Sequence, residues 1–257
     1  MKLKSNCKIN LNLKIVGLKD GYHLLESVFC PISLYDYIEI NISDEDDILG
    51  MDIPLEENIM YKALKIMKKK YNVDKCVKIH IEKNIPMQAG LGGGSSNAAT
   101  IIKGLNSLFN LNLSENEMIE VAKELGSDVP FFIVNKPSFV EGRGERITPI
   151  DNFNKIFGLL VFDDIYMSTK EVFNVFDECY CEEINFTEND LEKAVFKISG
   201  GEKIKEIKKY LYETGCKKAL MSGAGGAVFG LCEKKDLKEV YSKVVKKYKK
   251  VWMFESI

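Results

Sequence analysis

The stretch Pro86-Met-Gln-Ala-Gly-Leu-Gly-Gly-Gly-Ser-Ser96 decides how this sequence is read. Ahead of it, Val77, Ile79 and Ile81 alternate with Lys78, His80 and Glu82, the period of two of a half-buried strand. Behind it, Ala98, Ile101, Ile102, Leu105, Leu108 and Phe109 recur at helical spacing, with Ser95 or Ser96 placed to cap the start. A strand that enters a glycine-rich turn and then a capped helix is a phosphate cradle. The glycines let backbone N–H groups approach oxygens unobstructed, and the helix N-terminus adds unpaired donors and partial positive charge. A tight turn packed on a sheet needs fewer glycines than Gly90, Gly92, Gly93 and Gly94, so phosphate binding is the expectation. The Walker pattern is absent, because no lysine separates the glycines from the serines. The dinucleotide pattern G-x-G-x-x-G also fails, since counting from Gly90 puts Ser95 at its last position. With no βαβ series either, a dinucleotide-dependent oxidoreductase is disfavoured.

Outward from the loop, regular elements follow in both directions. Cys7–Val16 alternates Ile9, Leu11, Leu13 and Ile15 with Lys8, Asn10, Asn12 and Lys14, a strand with one greasy and one polar face. A turn at Lys19-Asp20-Gly21 precedes an apolar stretch from Leu24 to Ile32 and a separate strand from Tyr35 to Ile42. Asn58–Tyr71 is helical. Another helix starts at Ser114 with Glu117 as its capping-box partner and ends at Gly126, and an apolar stretch, Phe131–Val134, follows Asp128-Val-Pro130. Beyond about Asn152, a buried strand (Phe157–Asp163) leads into a charge-rich helical region. The tail reads as strand (Ala219–Met221), glycine loop (Ser222–Gly226), strand (Val228–Leu231), helix and a last strand (Val251–Phe254). This order predicts an α+β protein of two domains, residues 1–150 and 151–257.

Composition bounds the function. A 257-residue chain with 46% hydrophobic and 29% charged residues can bury one long core or two smaller ones. A net charge of −2 gives no overall handle for nucleic acid or an anionic membrane. The lysine-rich segments 203–218 and 234–250 read as solvated faces. Only Arg143 and Arg146 are arginines, so forked recognition of many phosphates is not expected. No apolar run approaches the roughly 18–20 residues that cross a bilayer, and the first residues lack the apolar core of a signal peptide. Seven scattered cysteines without a C-x-x-C pair predict core thiols in a reducing cytoplasm, with Cys179-x-Cys181 the sole spacing that could take a soft metal.

Several side chains bear on chemistry. Taken singly, Lys8 reads as a solvated charge on a strand and Asp128 as a turn or cap residue. Beside a phosphate cradle they would form a phosphoryl-transfer pair. Asp128 would accept the proton of an attacking hydroxyl, and Lys8 would keep the carboxylate ionised and offset charge on the transferring group. His23, just after a turn, is placed either to bond a polar ligand or to sit satisfied at the surface. The loop Ser222-Gly-Ala-Gly-Gly226 is either a hairpin or a ligand contact, and gains meaning if it faces the same cleft as the first loop. The run Asp44–Asp47 reads as a solvated loop, and Asp163-Asp164 as strand-end aspartates or Mg²⁺ ligands.

With those residues in view, Pro86–Thr100 resembles the ATP-binding motif of the GHMP kinases, the family of galactokinase, homoserine kinase and mevalonate kinase. Ser5-Asn-Cys-Lys8-Ile-Asn10-Leu resembles its opening strand, and Asp20-Gly-Tyr-His23 with Ser27-Val-Phe29 a substrate segment. Gly126-Ser-Asp128-Val-Pro-Phe resembles its catalytic aspartate motif, Glu141-Gly-Arg-Gly-Glu145 a further family segment, and Ser222–Gly226 its third motif. The resemblance implies a two-domain GHMP kinase fold with the active site in the interdomain cleft. It implies Asp128 as general base with Lys8 as its electrostatic partner. Pro86, Gly90, Gly92, Gly93, Gly94, Ser95 and Ser96 would bind ATP, with Mg²⁺ neutralising its phosphates. Asn10, Tyr22, His23 and Phe29 would contact a small-molecule alcohol carrying a cytidine diphosphate, Tyr22 and Phe29 near the cytosine and His23 reading its polar edge. The alternatives are a family kinase for another small alcohol and a non-catalytic nucleotide-binding homologue, in either case a monomer or homodimer. Two departures stand out. Asn6-Cys7 replaces the Pro-Ala often found before the lysine, which frees φ there, and the second domain is short.

Overall fold

The computed structural model describes residues 1–179 and 188–257. Its first element is strand β1, Lys2–Lys19, which extends the expected strand in both directions. Asp20 (φ 51°) and Gly21 (φ 75°) turn the chain into β2, Tyr22–Ser43, at 22 residues the longest element. The two apolar stretches read separately from sequence are thus one strand. Its continuity comes from pairing with β1 along nearly its whole length, while register shifts at Asn6/Cys7, Asn10/Asn12 and Ile15/Gly17 add local twist. The first shift falls where the proline is missing.

The other edge of β2 is shared by two strands. β4, Cys76–Glu82, pairs with Tyr37–Ser43, and β5, Ser138–Gly142, pairs with Leu25–Phe29. β3, Asp47–Leu49, and β6, Arg146–Pro149, complete a six-stranded mixed sheet. The acidic run is therefore more than a solvated loop. Asp46 accepts from Val77 N at 2.9 Å and Lys68 Nζ at 2.5 Å, and Asp47 opens β3.

Four helices cover one face of this sheet. They are α1, Ile59–Tyr71; α2, Gly93–Leu108; α3, Glu115–Lys123; and α4, Val129–Val134. Asn58 caps α1, and Ser114 with Glu117 closes the expected capping box on α3, which stops three residues short of Gly126. The apolar stretch after Asp128 is helical, with Pro130 in the first turn, where a missing N–H is tolerated. Ile38, Ile40, Leu64, Met67, Ile79, Ile101, Leu105 and Phe131 fill the space between sheet and helices.

A second, antiparallel sheet runs β10–β7–β9–β8, with β7 at Phe157–Phe162, β8 at Lys218–Met221, β9 at Ala227–Cys232 and β10 at Val251–Glu255. α5 (Thr169–Cys179), α6 (Glu192–Val195), α7 (Gly201–Thr214) and α8 (Leu237–Val244) belong to the same part of the chain. Residues from these helices, this sheet and the distal half of β1 form a further apolar cluster that includes Leu13, Val161, Val172, Leu211 and Val240. A third cluster joins the two halves: Ile9 and Ile32 from the first sheet, Ile85 just before the glycine loop and Leu91 within it, and Phe162, Phe229 and Phe254 from the second sheet. Cys7, Cys30, Cys216 and Cys232 are buried free thiols, the Cys30 and Cys216 values pushed up to about 12 by burial. Cys181 and the side chain of Cys179 lie outside the described residues. Among the described residues, no helix is long and apolar enough to cross a membrane.

Candidate active site

The polar face of β1 is not solvated. Lys8 is 3% exposed and Asn10 is fully buried, because the glycine loop and α4 close over them. Lys8 Nζ donates to Asn10 Oδ1 at 2.6 Å and to the Gly90 carbonyl at 3.0 Å, and it lies 4.7 Å from the centre of the Phe29 ring. Asn10 Nδ2 donates in turn to Ser27 Oγ at 2.9 Å. Reading Lys8 as a solvated strand charge is corrected by this burial.

The glycine loop, residues 86–92, runs into α2 one turn earlier than the serines predicted. Gly92 is the N-cap, in the left-handed region at φ 68°, so Ser95 and Ser96 lie inside the first turn rather than capping it. Glycine is required at this cap, since a Cβ there would stand 2.9 Å from the Phe132 ring. Ser96 Oγ pairs with Ser5 Oγ at 2.8 Å, tying the helix to β1. The second glycine loop meets the first. Ser222 Oγ donates to the Gly90 carbonyl at 3.0 Å, and Ala227 N to the Ala89 carbonyl at 3.1 Å. Fully buried Asn189 holds this second loop through the carbonyls of Met221 and Gly223 at 3.0 and 2.9 Å.

Asp128 occupies the N-cap position of α4 but makes no side-chain cap bond, so the capping role is not what its carboxylate does. It is half-buried and within Coulombic reach of Lys8. Burial pushes the Lys8 ammonium below the ordinary lysine range, and the Asp128 charge opposes that shift. Gly144, in the turn between β5 and β6, packs against Ser127, and a Cβ there would stand 3.6 Å from Asp128 Oδ1.

Two cavities flank this centre. One, of about 380 Å³, is lined by the glycine loop from Pro86 to Ser95 together with Met51, Ile53, Ile59, Lys83 and Asn97. The other, of about 730 Å³, is lined by Tyr22, Ser127, Arg143, Glu145 and Arg146 among others. The Arg143 guanidinium lies 3.8 Å from the centre of the Tyr22 ring and 3.6 Å from Asp20 Oδ2. His23 is in contact with α5, stacked on Phe173 at 4.6 Å and bonded through Nε2 to Asp177 Oδ1 at 2.6 Å. Phe29, 2% exposed, touches Phe131 edge-on and offers its face to Lys8. Lys8, Asn10, Phe29 and both glycine loops therefore meet, with Asp128 beside them. Tyr22 lines the adjacent cavity, and His23 lies against α5. Asp164, one of the strand-end aspartates, pairs with Lys250.

Sequence reasoning passed over Lys83, Asp36, Asn97 and the apolar wall of the first cavity. A lysine at the mouth of a glycine loop that lacks its own, and an aspartate between Tyr35 and Tyr37 inside an apolar strand, were the available signals.

The description "GHMP kinases N terminal domain" matches residues 58–136, and "GHMP kinases C terminal" matches residues 183–250. A 4-diphosphocytidyl-2-C-methyl-D-erythritol kinase of Clostridioides difficile (strain 630) is 39% identical, covering 100% of this chain and 95% of that protein. A kinase of the same name from Clostridium tetani (strain Massachusetts / E88) is 38% identical, covering all of both chains. The chain belongs to the GHMP kinase family. Among solved structures, a 4-(cytidine 5′-diphospho)-2C-methyl-D-erythritol kinase superposes with a TM-score of 0.84 at 27% identity, covering 100% of this chain and 99% of that one. The mevalonate kinase of Methanococcus jannaschii, at 18% identity, shares the fold with a TM-score of 0.72 over 100% of this chain and 98% of that one. This GHMP kinase thus has the expected mixed α/β architecture.

The loop contact sets a first test on this kinase. Gly90 has φ 73°, and a Cβ there would stand 2.0 Å from the Ser222 carbonyl oxygen, whereas the nearest atom to a Cβ at Gly94 is 3.8 Å away. In denaturant unfolding Gly90→Ala should cost about 1–3 kcal/mol, while Gly94→Ala should stay within about 0.5 kcal/mol of wild type. Equal effects would show that the loops need not touch. Lys8 sets a second test. Its folded pKa lies below its unfolded one, so the unfolded chain binds more protons between them and stability rises with pH through that window. A role for the charged ammonium runs the opposite way. Turnover should fall at high pH before an ordinary lysine, near pKa ~10.4, would titrate, and Lys8→Arg should remove that early fall from the pH–rate profile.

Proposed function

We propose that this kinase transfers the γ-phosphoryl group of ATP to the 2-hydroxyl of 4-diphosphocytidyl-2-C-methyl-D-erythritol, a step of non-mevalonate isoprenoid precursor synthesis. The observation that carries the substrate is the full-length identity, 37–39%, to the C. difficile, C. tetani and C. botulinum kinases that bear that substrate's name. What supports the chemistry is the meeting of a buried lysine, a carboxylate not used as a cap and a double glycine loop. Residues 1–150 and 151–257 are taken as the two domains, with the reaction in the cleft they share.

ATP fits the first cavity in two parts. Met51, Ile53 and Ile59 offer apolar walls for a base, and the N–H groups of Gly93, Gly94 and Ser95 in the first turn of α2 offer donors for phosphates. Pro86 begins the loop and limits its φ. Mg²⁺ takes oxygen ligands, and Ser95, on the cavity wall, would offer it a hydroxyl oxygen. When bound, the ion offsets charge on the phosphates.

On the acceptor side, Asp128 takes the proton of the 2-hydroxyl as its oxygen attacks the γ-phosphorus, and the bond to the ADP oxygen breaks. Lys8, within Coulombic reach of that carboxylate, stabilises charge on the transferring group. Asn10 and the Gly90 carbonyl aim the ammonium by hydrogen bonds, and the Phe29 face holds it from below. Tyr22 is the aromatic platform for the cytosine, and His23 reads the base edge on exchanging a contact with α5 for one with substrate.

The test is ADP release with ATP, Mg²⁺ and the cytidylyl alcohol, run beside mevalonate phosphate and homoserine. Release with the cytidylyl alcohol alone is expected. Asp128→Asn should lower kcat by about 10²–10⁴-fold, the range of one general base, with ATP binding retained. Release only with another alcohol would overturn the substrate, and nucleotide binding without any turnover would overturn the kinase reading.

A further inference from the structure

The glycine loop contains no lysine, yet a nucleotide's phosphates call for a cation. Of the described residues lining its cavity, Lys83 is the one that carries positive charge. It sits just past the end of β4, and its Nζ would stand 3.6 Å from a Cβ on Gly93, alongside the first residue of α2. Its side chain is 17% exposed, so it does not extend freely into water.

What holds it is Asp36, fully buried in the middle of β2. The two carboxylate oxygens divide the work. Oδ1 accepts from the backbone N–H groups of Asn84 and Ile85 at 2.8 and 2.9 Å, fixing the chain as it leaves β4 for the glycine loop. Oδ2 accepts from Lys83 Nζ and, at 2.9 Å, from Asn97 Nδ2 on α2. Asn97 Oδ1 accepts a further bond from Lys83 Nζ at 3.2 Å, and Asn97 Nδ2 also reaches Ser5 Oγ at 2.9 Å. An ammonium has three donors. Two are used by Asp36 and Asn97, which leaves one for the cavity.

We propose that Asp36 is a positioning residue for the nucleotide, which it serves by holding Lys83 and Asn97 at the mouth of the glycine loop so that Lys83 contributes the cation the loop lacks. This rests on the placement of ATP in that cavity. A buried carboxylate that only stabilised the strand would have no reason to collect both polar side chains facing the ligand. It is also costly to bury unless its partners are fixed.

Asp36→Asn separates the two jobs of the carboxylate. Its Oδ1 can still accept from Asn84 and Ile85, but its NH₂ group now faces the donors of Lys83 and Asn97 and releases Lys83. Titration with ADP should show a Kd raised about tenfold, the size of one hydrogen bond to a charged group, while KM for the alcohol stays within about twofold and kcat changes little. Lys83→Met keeps Asp36 and its backbone bonds, so it tests the idea even if Asp36→Asn folds poorly. It should raise the ADP Kd by a similar factor, and the double variant should be no worse than either alone. An Asp36→Asn protein with a lower thermal midpoint but an unmoved ADP Kd would overturn the proposal, as would additive losses or an unchanged Kd in Lys83→Met. Wild-type protein that bound no ADP would overturn this proposal together with the nucleotide placement. ADP binding without turnover of the cytidylyl alcohol would overturn the substrate alone and leave the Asp36 test standing.

Discussion

Two backbone segments more than 130 residues apart touch at Gly90 and Ser222, and the rest of the site depends on that contact. The Gly90 carbonyl is a shared acceptor. Ser222 Oγ and Lys8 Nζ each reach it at 3.0 Å, so one oxygen joins the first strand, the nucleotide loop and the second sheet. At Gly90, Gly223 and Gly226 a Cβ would stand 2.0–3.0 Å from the backbone of the opposite loop, which is why glycine occupies these positions. The surrounding apolar cluster, with Ile9, Leu91, Leu160 and Phe229, seals the junction from both halves of the chain. A cleft built this way has its floor fixed before any ligand arrives.

Burying Lys8 on that floor has an electrostatic consequence. An ammonium taken out of water loses solvation worth several kcal/mol, and here the loss is offset only in part by two hydrogen bonds, an aromatic face and a nearby carboxylate. Each compensating group also restricts where the ammonium can point. The charge is therefore held in place, as the proposed phosphoryl transfer requires. Asp128 gains from the same arrangement. At the N-terminal end of α4 it makes no side-chain capping bond, which suits the proton-accepting role proposed for it.

Much of this was legible in the sequence, for identifiable reasons. Strand β1, helices α1 and α3, and the strand–loop–strand–helix–strand tail carry their periods and caps locally, and the structure reproduces them within a few residues. The order strand, glycine loop, helix was also legible, and the structure has β4, the loop and α2 in that order. What local pattern could not give was the continuity of β2 across Pro31–Leu34, because that depends on β1 as partner. It also missed the short strands β3, β5 and β6, which exist only as additions to longer ones, and the six-residue helix α4. The same limit hid the burial of Lys8. Alternation shows that one face of β1 is polar, but not that a loop some 80 residues later will cover it. Asp36 and Lys83 were missed because their partners come from other elements.

With two separate cavities, the proposed reading divides recognition from chemistry. The cavity at the glycine loop combines apolar walls with backbone donors, a combination that fits any nucleotide with a purine and a phosphate chain. The larger cavity is built from the turns at Asp20–Tyr22 and Gly142–Arg146, and it contains both arginines of the chain. Arg143 lies across Tyr22 and is tethered by Asp20, so the platform proposed for the base is already held by charge and stacking. Side chains on turns can change without disturbing the sheet that carries Lys8 and Asn10. On the proposed reading, discrimination among alcohols belongs to the residues lining that larger cavity. Lys8 and Asn10, the residues proposed for phosphoryl transfer, stay fixed on the buried strand.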